Sequence, residues 1–363
     1  MKPNSQIPLW TIGAPIFAAA LLATAALAPG FAHGGVFVAC VAVGVAASVF
    51  AAVHHAELVA FRIGEPFGTL VLALAVTLIE VALIVSLMVA GGEEALGLAR
   101  DTVFAAVMII LNGIIGLCLL VGGVLHREQS FSLDGVSASL VALGAIVIMT
   151  LVFPNYTVSV PGPFYSPSQL MLIALVTVVV YGTFIFTQTV GNRGWFLHGE
   201  GEDVGHGGAR PSNATTASGA LLLLMCLAAV VLLAKQLAPS LEAMVFKLGA
   251  PNALVGVIIA AIVLLPEGLA ALKAARSNRL QTSLNLALGS ALASIGLTIP
   301  AVSCVSLYMH LHLMLGIDSR SSVLLLLSLF VASLALRTGR TIILHGVVLL
   351  VIFVVYLFTT VVP

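Results

Sequence analysis

Apolar residues run along this chain in long blocks separated by short polar stretches. The blocks fall at about 8–29, 34–53, 66–90, 102–125, 133–153, 168–190, 218–238, 250–272, 283–309, 321–337 and 341–361. Roughly 20 apolar residues in a helix cross the hydrocarbon core of a bilayer, and most of these blocks reach that length. Backbone N–H and C=O groups in lipid must pair within the segment, so such blocks are predicted to be helices. The pattern predicts an all-α polytopic protein with about 11 transmembrane helices.

The one long polar interruption is 191–217, GNRGWFLHGEGEDVGHGGARPSNATTA. It lacks an apolar face and is rich in glycine, so it reads as a flexible linker between two halves. A cation-attracting role for Glu200, Glu202, Asp203, His198 and His206 is the functional alternative. The organisation expected is a leading helix in 1–30, a first half over 31–190, a linker over 191–217 and a second half over 218–363.

Charge orients this arrangement. With the N-terminus cytoplasmic, the inner loops carry Lys2, Arg62, Arg127, Arg193, Arg210, Lys273, Arg276, Arg279, Arg337 and Arg340. The outer loops carry only Arg100, Lys235, Lys247 and Arg320. That excess fits the positive-inside rule, with the C-terminus on the far side of the membrane. The N-terminal block shows no convincing cleavage site and reads as a first span, not as a removed signal.

Composition agrees. Of 363 residues, 61% are hydrophobic and 8% charged, against about 25% charged in soluble domains. Lys+Arg and Asp+Glu balance at 14 each, which gives no basic surface for nucleic acid. Membrane lipid is the expected surrounding. Cys40, Cys118, Cys226 and Cys304 sit inside apolar blocks without metal-ligand spacing and read as small packing residues.

Against this background two residues stand out. The block PFGTLVLALAVTLIEVALIVSLMVA, 66–90, has Glu80 as its one charge. A carboxylate near the bilayer centre costs about 2.5–3.5 kcal/mol on insertion scales. The block APNALVGVIIAAIVLLPEGLAALKAA, 250–275, has Glu267 set deep within it. Each is followed by a helix with buried polar residues: Asn112 in the first half, and Asn285, Ser290, Ser294 and Thr298 in the second. Glu80 falls on the third helix and Glu267 on the eighth. An odd offset makes these helices cross in opposite directions, the signature of two five-helix inverted-topology repeats behind the leading helix. Neither block supplies a Lys or Arg at similar depth, so a mobile cation or protons is the expected counter-charge.

The surroundings suit a hard cation. Pro266 lacks an N–H, frees the carbonyl of Ile262 one turn earlier, and predicts a helix break there. Thr77 precedes Glu80 by three residues and shares its face. Gly68, Gly113, Gly256, Gly289 and Gly296 permit close helix approach. Two carboxylates with hydroxyls, an amide and a loosened carbonyl make an all-oxygen shell, which Ca²⁺ or Na⁺ prefers. Carboxylates in a low dielectric also hold protons, so cation and proton compete. No cofactor is implied; Ca²⁺, Na⁺ or K⁺ and H⁺ would be cargo.

These residues resemble a known family. GEPFGTLVLALAVTLIE, 64–80, with the helix around Asn112, resembles the first alpha-repeat of the cation/Ca²⁺ exchanger superfamily, a region of about 64–120. LLPEG, 264–268, with LNLALGSALAS, 284–294, resembles the second, about 250–303. The GEPFGTL opening is most similar to the bacterial Ca²⁺/H⁺ antiporter branch of the ChaA type, which also handles Na⁺ and K⁺. The resemblance implies proton-driven cation efflux across a bacterial inner membrane, with Glu80 and Glu267 binding cation and protons. Two departures stand out. The Gly-Asn-Ala-Thr-Glu type of motif is here Val76-Thr77-Leu78-Ile79-Glu80, and the Gly-Ser-Ser-x-Gln type is Gly289-Ser290-Ala291-Leu292-Ala293. Fewer side-chain oxygens weigh toward monovalent cations.

Two other classes compete. An intramembrane metalloenzyme would use His54, His55 and Glu57, or His310 and His312, but the spacing is loose and the loops 54–65 and 310–320 fall on opposite sides. A passive cation channel would use the same carboxylates without coupling. Asp101 and Asp134 read as helix N-terminal residues, where a carboxylate complements the dipole. Asn112, Ser290, Ser294 and Thr77 each have a purely structural alternative as interhelical or backbone hydrogen-bonding groups, and His345 reads as a packed histidine.

Overall fold

A computed structural model describes residues 7–28, 34–64, 67–91, 97–196, 211–247, 251 and 253–362. The chain is an all-α polytopic membrane protein, with eleven helices among the described residues. They are α1 (Leu9–Leu27), α2 (Gly35–Ile63), α3 (Phe67–Gly91), α4 (Leu98–His126), α5 (Leu133–Tyr156) and α6 (Pro167–Gly191). They continue with α7 (Asn213–Lys247), α8 (Ala253–Arg276), α9 (Leu280–Met309), α10 (Ser319–Ala335) and α11 (Ile343–Val361). Among the described residues, nine of these helices have the length and apolarity to cross a membrane. The acidic and histidine residues expected in the 191–217 linker lie outside the described residues, as do Lys2 and Glu65.

The helices gather into two compact units. The first holds residues 1–90 and 202–249, thus α1, α2, nearly all of α3, and α7. Gly44 of α2 lets three helices meet: a Cβ there would lie 3.0 Å from Leu21 of α1 and 3.1 Å from Leu233 of α7. Helix α2 is longer than the apolar block, which ends near residue 53. The expected loop at 54–65 is instead mostly helix, because His54–Ile63 contains no glycine or proline and goes on packing. His55 is buried with Nε2 3.4 Å from Thr11 O, and the His54 ring lies 5.9 Å from Trp10. The helix stops at Gly64, whose φ of 79° is open to glycine, and whose N–H closes on Ala60 O.

The second unit holds residues 91–201 and 250–363, thus α4–α6 and α8–α11. Helix α4 is its centre, with 78% of its most apolar window buried. It packs on α8, where a Cβ at Gly256 would meet the Asp101–Thr102 backbone at 3.0 Å, and on α11 along Gly113 and Gly116. Helix α9 packs on α6, with Gly296 against Tyr181. At Gly289, nothing among the described residues lies within 4 Å of a Cβ.

The two ends of this unit are knitted by its turns. At one, β1 (Gln129–Ser130) pairs antiparallel with β2 (Arg340–Thr341). Gln129 Nε2 donates to Ala275 O and Asn278 Oδ1, both at 3.0 Å, and Gln281 Oε1 accepts from Ser132 N at 2.6 Å. At the other, Asn155 Nδ2 donates to Ile317 O at 2.6 Å, and Arg100 donates to Gly316 O at 3.2 Å while pairing with Asp101 at 2.7 Å. Tyr165, in the turn before α6, donates to Met149 O at 2.5 Å, and burial pushes its phenol above the usual value.

Candidate functional site

In the first unit, Glu80 is placed by the face it occupies on α3. Leu74 and Leu78 are 53% and 50% exposed, the apolar exposure of a lipid-facing surface. Thr77, Glu80 and Ile84, spaced three and four residues apart, form the opposite stripe and are 3%, 4% and 0% exposed. The sequence expectation that Thr77 shares the face of Glu80 therefore holds. A carboxylate buried so fully in an apolar helix is a large local cost, offset only by a proton, a cation or strong hydrogen bonds.

In the second unit, Glu267 is half-buried on α8. The expected break at Pro266 does not interrupt the helix: Ala253–Arg276 is one α-helix with Pro266 inside it. The helix runs on through the proline while packed on α4, and Pro266 removes one backbone donor from it. The carbonyl of Ile262 has no N–H four residues on with which to pair. Gly268 brings this segment close to α4, since a Cβ there would lie 3.2 Å from Ile114.

Ile114 ends a π-helical turn, Ile109–Ile114, that also carries Asn112. One added residue per turn shifts the register of α4 and turns Asn112 to the interior, where it is 0% exposed. Asn112 Nδ2 donates to Ser328 Oγ on α10 at 2.9 Å, and Met108 Sδ lies 3.7 Å from Nδ2. The amide oxygen, Oδ1, is buried with no hydrogen-bond partner among the described residues. Leaving such an acceptor unsatisfied costs about 1–3 kcal/mol.

On α9, Ser294 is buried and Ser290 half-buried, one turn apart on a shared face. Asn285 is structural: its Nδ2 donates to Phe196 O at 2.6 Å, and Gln281 Nε2 donates to its Oδ1 at 3.0 Å. Thr298 is fully buried, and its hydroxyl has no hydrogen-bond partner among the described residues. So the second unit gathers Glu267's helix segment and Asn112 around one π turn. Sequence reasoning missed two of the participants. Ser328 is one serine in an apolar run, and a π turn has no residue signature.

His54 and His55 lie on α2, and His310 caps α9 in a left-handed conformation. Among the described residues, no group of three or more His, Cys, Asp or Glu side chains is placed to hold a metal. All four cysteines are free thiols.

Among the described residues, two of the helices of this polytopic membrane protein carry acidic side chains within apolar blocks, the placement of groups that handle ions or protons. The chain belongs to the family described as sodium/calcium exchanger protein, whose sequence profile matches residues 33–190 and 218–362. This is a family of exchangers and not of enzymes. The chain is 47% identical over 364 residues to a Sinorhizobium fredii protein named "Putative ionic transporter y4hA", covering 99% of this chain and 98% of that one. It is 36% identical over 322 residues to the sodium-potassium/proton antiporter ChaA of Escherichia coli, covering 87% and 86% of the two chains. In fold it is similar to the crystal structure of the H⁺/Ca²⁺ exchanger CAX, with a TM-score of 0.71 and 16% identity over 96% of this chain and 87% of that one.

Proposed function

We propose that this protein is a secondary active antiporter that exports a cation in exchange for protons by alternating access. Glu80 and Glu267 bind both. The observation that carries the reading is Glu80, 4% exposed on an apolar helix beside an equally buried Thr77. A proton and a cation compete for the oxygens of a carboxylate in that setting, so occupancy by one disfavours the other. That competition, with the site open to one side at a time, couples the two fluxes.

Na⁺ and K⁺ are the first candidates for cargo, with Ca²⁺ next. The named activity of the 36% identical relative supports the monovalent ions. So does the loss of side-chain oxygens around Val76-Thr77-Leu78-Ile79-Glu80 and Gly289-Ser290-Ala291. Asn112, Ser290, Ser294, Thr77 and the Ile262 carbonyl complete the shell.

The halves 31–190 and 218–363 are inverted repeats in this reading. Family matching in two stretches that leave out the polar linker supports it. So does the packing inside the second unit. A repeat offset of five makes α4 equivalent to α9 and α11 to α6, and α4 packs on α11 as α9 packs on α6. Each pair crosses at a glycine, Gly116 in one and Gly296 in the other. The N-terminus is cytoplasmic and the C-terminus periplasmic in a bacterial inner membrane; a C-terminal reporter active in the cytoplasm would overturn that orientation.

The test of function is collapse of a pH gradient in everted vesicles on adding Na⁺, K⁺ or Ca²⁺ at several pH values. Saturable collapse by at least one cation is expected. Cation flux that ignores the proton gradient and persists with an uncoupler would replace the antiporter with a channel.

A further inference from the structure

We propose that Ser328 is a positioning residue for cation binding, which fixes the Asn112 carboxamide so that its oxygen serves as a ligand to the transported ion. The proposal rests on the antiport reading above and adds a residue outside both alpha-repeat motifs.

The argument is one of proton bookkeeping. Ser328 Oγ lies 2.7 Å from Leu324 O, one turn back along α10. A carbonyl accepts and cannot donate, so the single hydroxyl proton of Ser328 goes to Leu324. Only lone pairs remain for Asn112. The Asn112 atom 2.9 Å away must then be the donor, Nδ2. Flipping the amide would set two acceptors against each other in a buried site, which the interior penalises heavily. Met108 Sδ, a weak acceptor, sits 3.6 Å from Ser328 Oγ and 3.7 Å from Asn112 Nδ2, so the amine side of the carboxamide is turned toward this cluster.

The consequence falls on Oδ1. It is fully buried and has no hydrogen-bond partner among the described residues, whereas buried amide oxygens are nearly always paired. Amide carbonyl oxygens are ligands of hard cations. The same π turn meets Glu267's helix through Ile114 and Gly268. A carboxamide free to flip would offer N–H to a cation half the time; Ser328 removes that state.

The test uses the full chain in proteoliposomes, with Na⁺, K⁺ and Ca²⁺ each titrated against an imposed pH gradient. Ser328→Ala should raise KM for the transported cation about five- to tenfold with Vmax held within about twofold. Ser328→Thr, which keeps the hydroxyl, should restore KM. Asn112→Ala/Ser328→Ala should have the KM of Asn112→Ala alone, because Ser328 acts only through Asn112. An unchanged KM in Ser328→Ala overturns the proposal, as does a KM effect that persists in full without Asn112. Should Ser328→Ala fail to reach the membrane, Ser328→Cys replaces it: a thiol accepts poorly, so KM must still rise, and an unchanged KM overturns the proposal. Wild-type protein that exchanges no cation for protons overturns the antiport reading and this inference together, a result distinct from failure in the variants alone.

Discussion

A Cβ on Gly296 of α9 would lie 2.7 Å from Cγ of Tyr181 on α6, whereas one on Gly289, two turns earlier on α9, would meet nothing described within 4 Å. Tyr181 is buried and its ring cannot retreat without moving α6. Gly296→Ala is therefore expected to destabilise by about 1–3 kcal/mol through overpacking. Gly289→Ala should be neutral or stabilising by about 0.5–1 kcal/mol, since alanine suits a helix interior better. Thermal unfolding of the detergent-solubilised variants, followed by size-exclusion chromatography, measures both; equal losses at the two positions would contradict the packing described.

Gln129 binds three turns at one end of the second unit. Its side chain is 3% exposed and donates to both Ala275 O and Asn278 Oδ1. Gln129→Leu keeps the bulk and removes both side-chain hydrogen bonds, leaving Ala275 O with its bond from Asn278 N, at a cost of about 0.5–1.5 kcal/mol per bond lost. The expected result is a lower unfolding temperature with KM for the cation unchanged. A shifted KM at unchanged stability would place Gln129 in transport.

Thr77 shares the buried stripe of Glu80. If its hydroxyl is a cation ligand, Thr77→Val should raise KM by about tenfold while Thr77→Ser stays near wild type. Equal KM in Thr77→Val and wild type would assign the hydroxyl to its own helix backbone.

Competition at the carboxylates sets the pH dependence. Protons that occupy the binding groups exclude the cation, so lowering pH on the loading side should raise apparent KM and leave Vmax unchanged. The limiting slope is about tenfold per pH unit for each proton displaced. A KM flat across pH, with Vmax falling instead, would mean that protonation acts elsewhere.

Much of this fold is legible in the sequence because lipid enforces length. Nine of the eleven apolar blocks end in glycine, proline or charge close to where the helices end; α7 runs on through Pro239 to Lys247, past a block that ends at 238. Helix α2 escaped because burial of His54 and His55 against α1 is a tertiary effect, invisible to a hydropathy window. The acidic residues were legible because charge in an apolar block has few explanations. Asn112 was legible for the same reason, but its partner was not: Ser328 is ordinary in composition, and only the fold brings α10 to α4. Pro266 was misread as a break because its cost is local, while the packing of α8 on α4 is not.

The central claim is that Glu80 and Glu267 carry both cation and proton. Its most direct measurement is cation-dependent proton release from the inside of proteoliposomes holding wild-type, Glu80→Gln or Glu267→Gln protein. The account predicts proton release by wild type and none by either variant, with all three inserted in equal amounts. Exchange at the wild-type rate by either variant would contradict it.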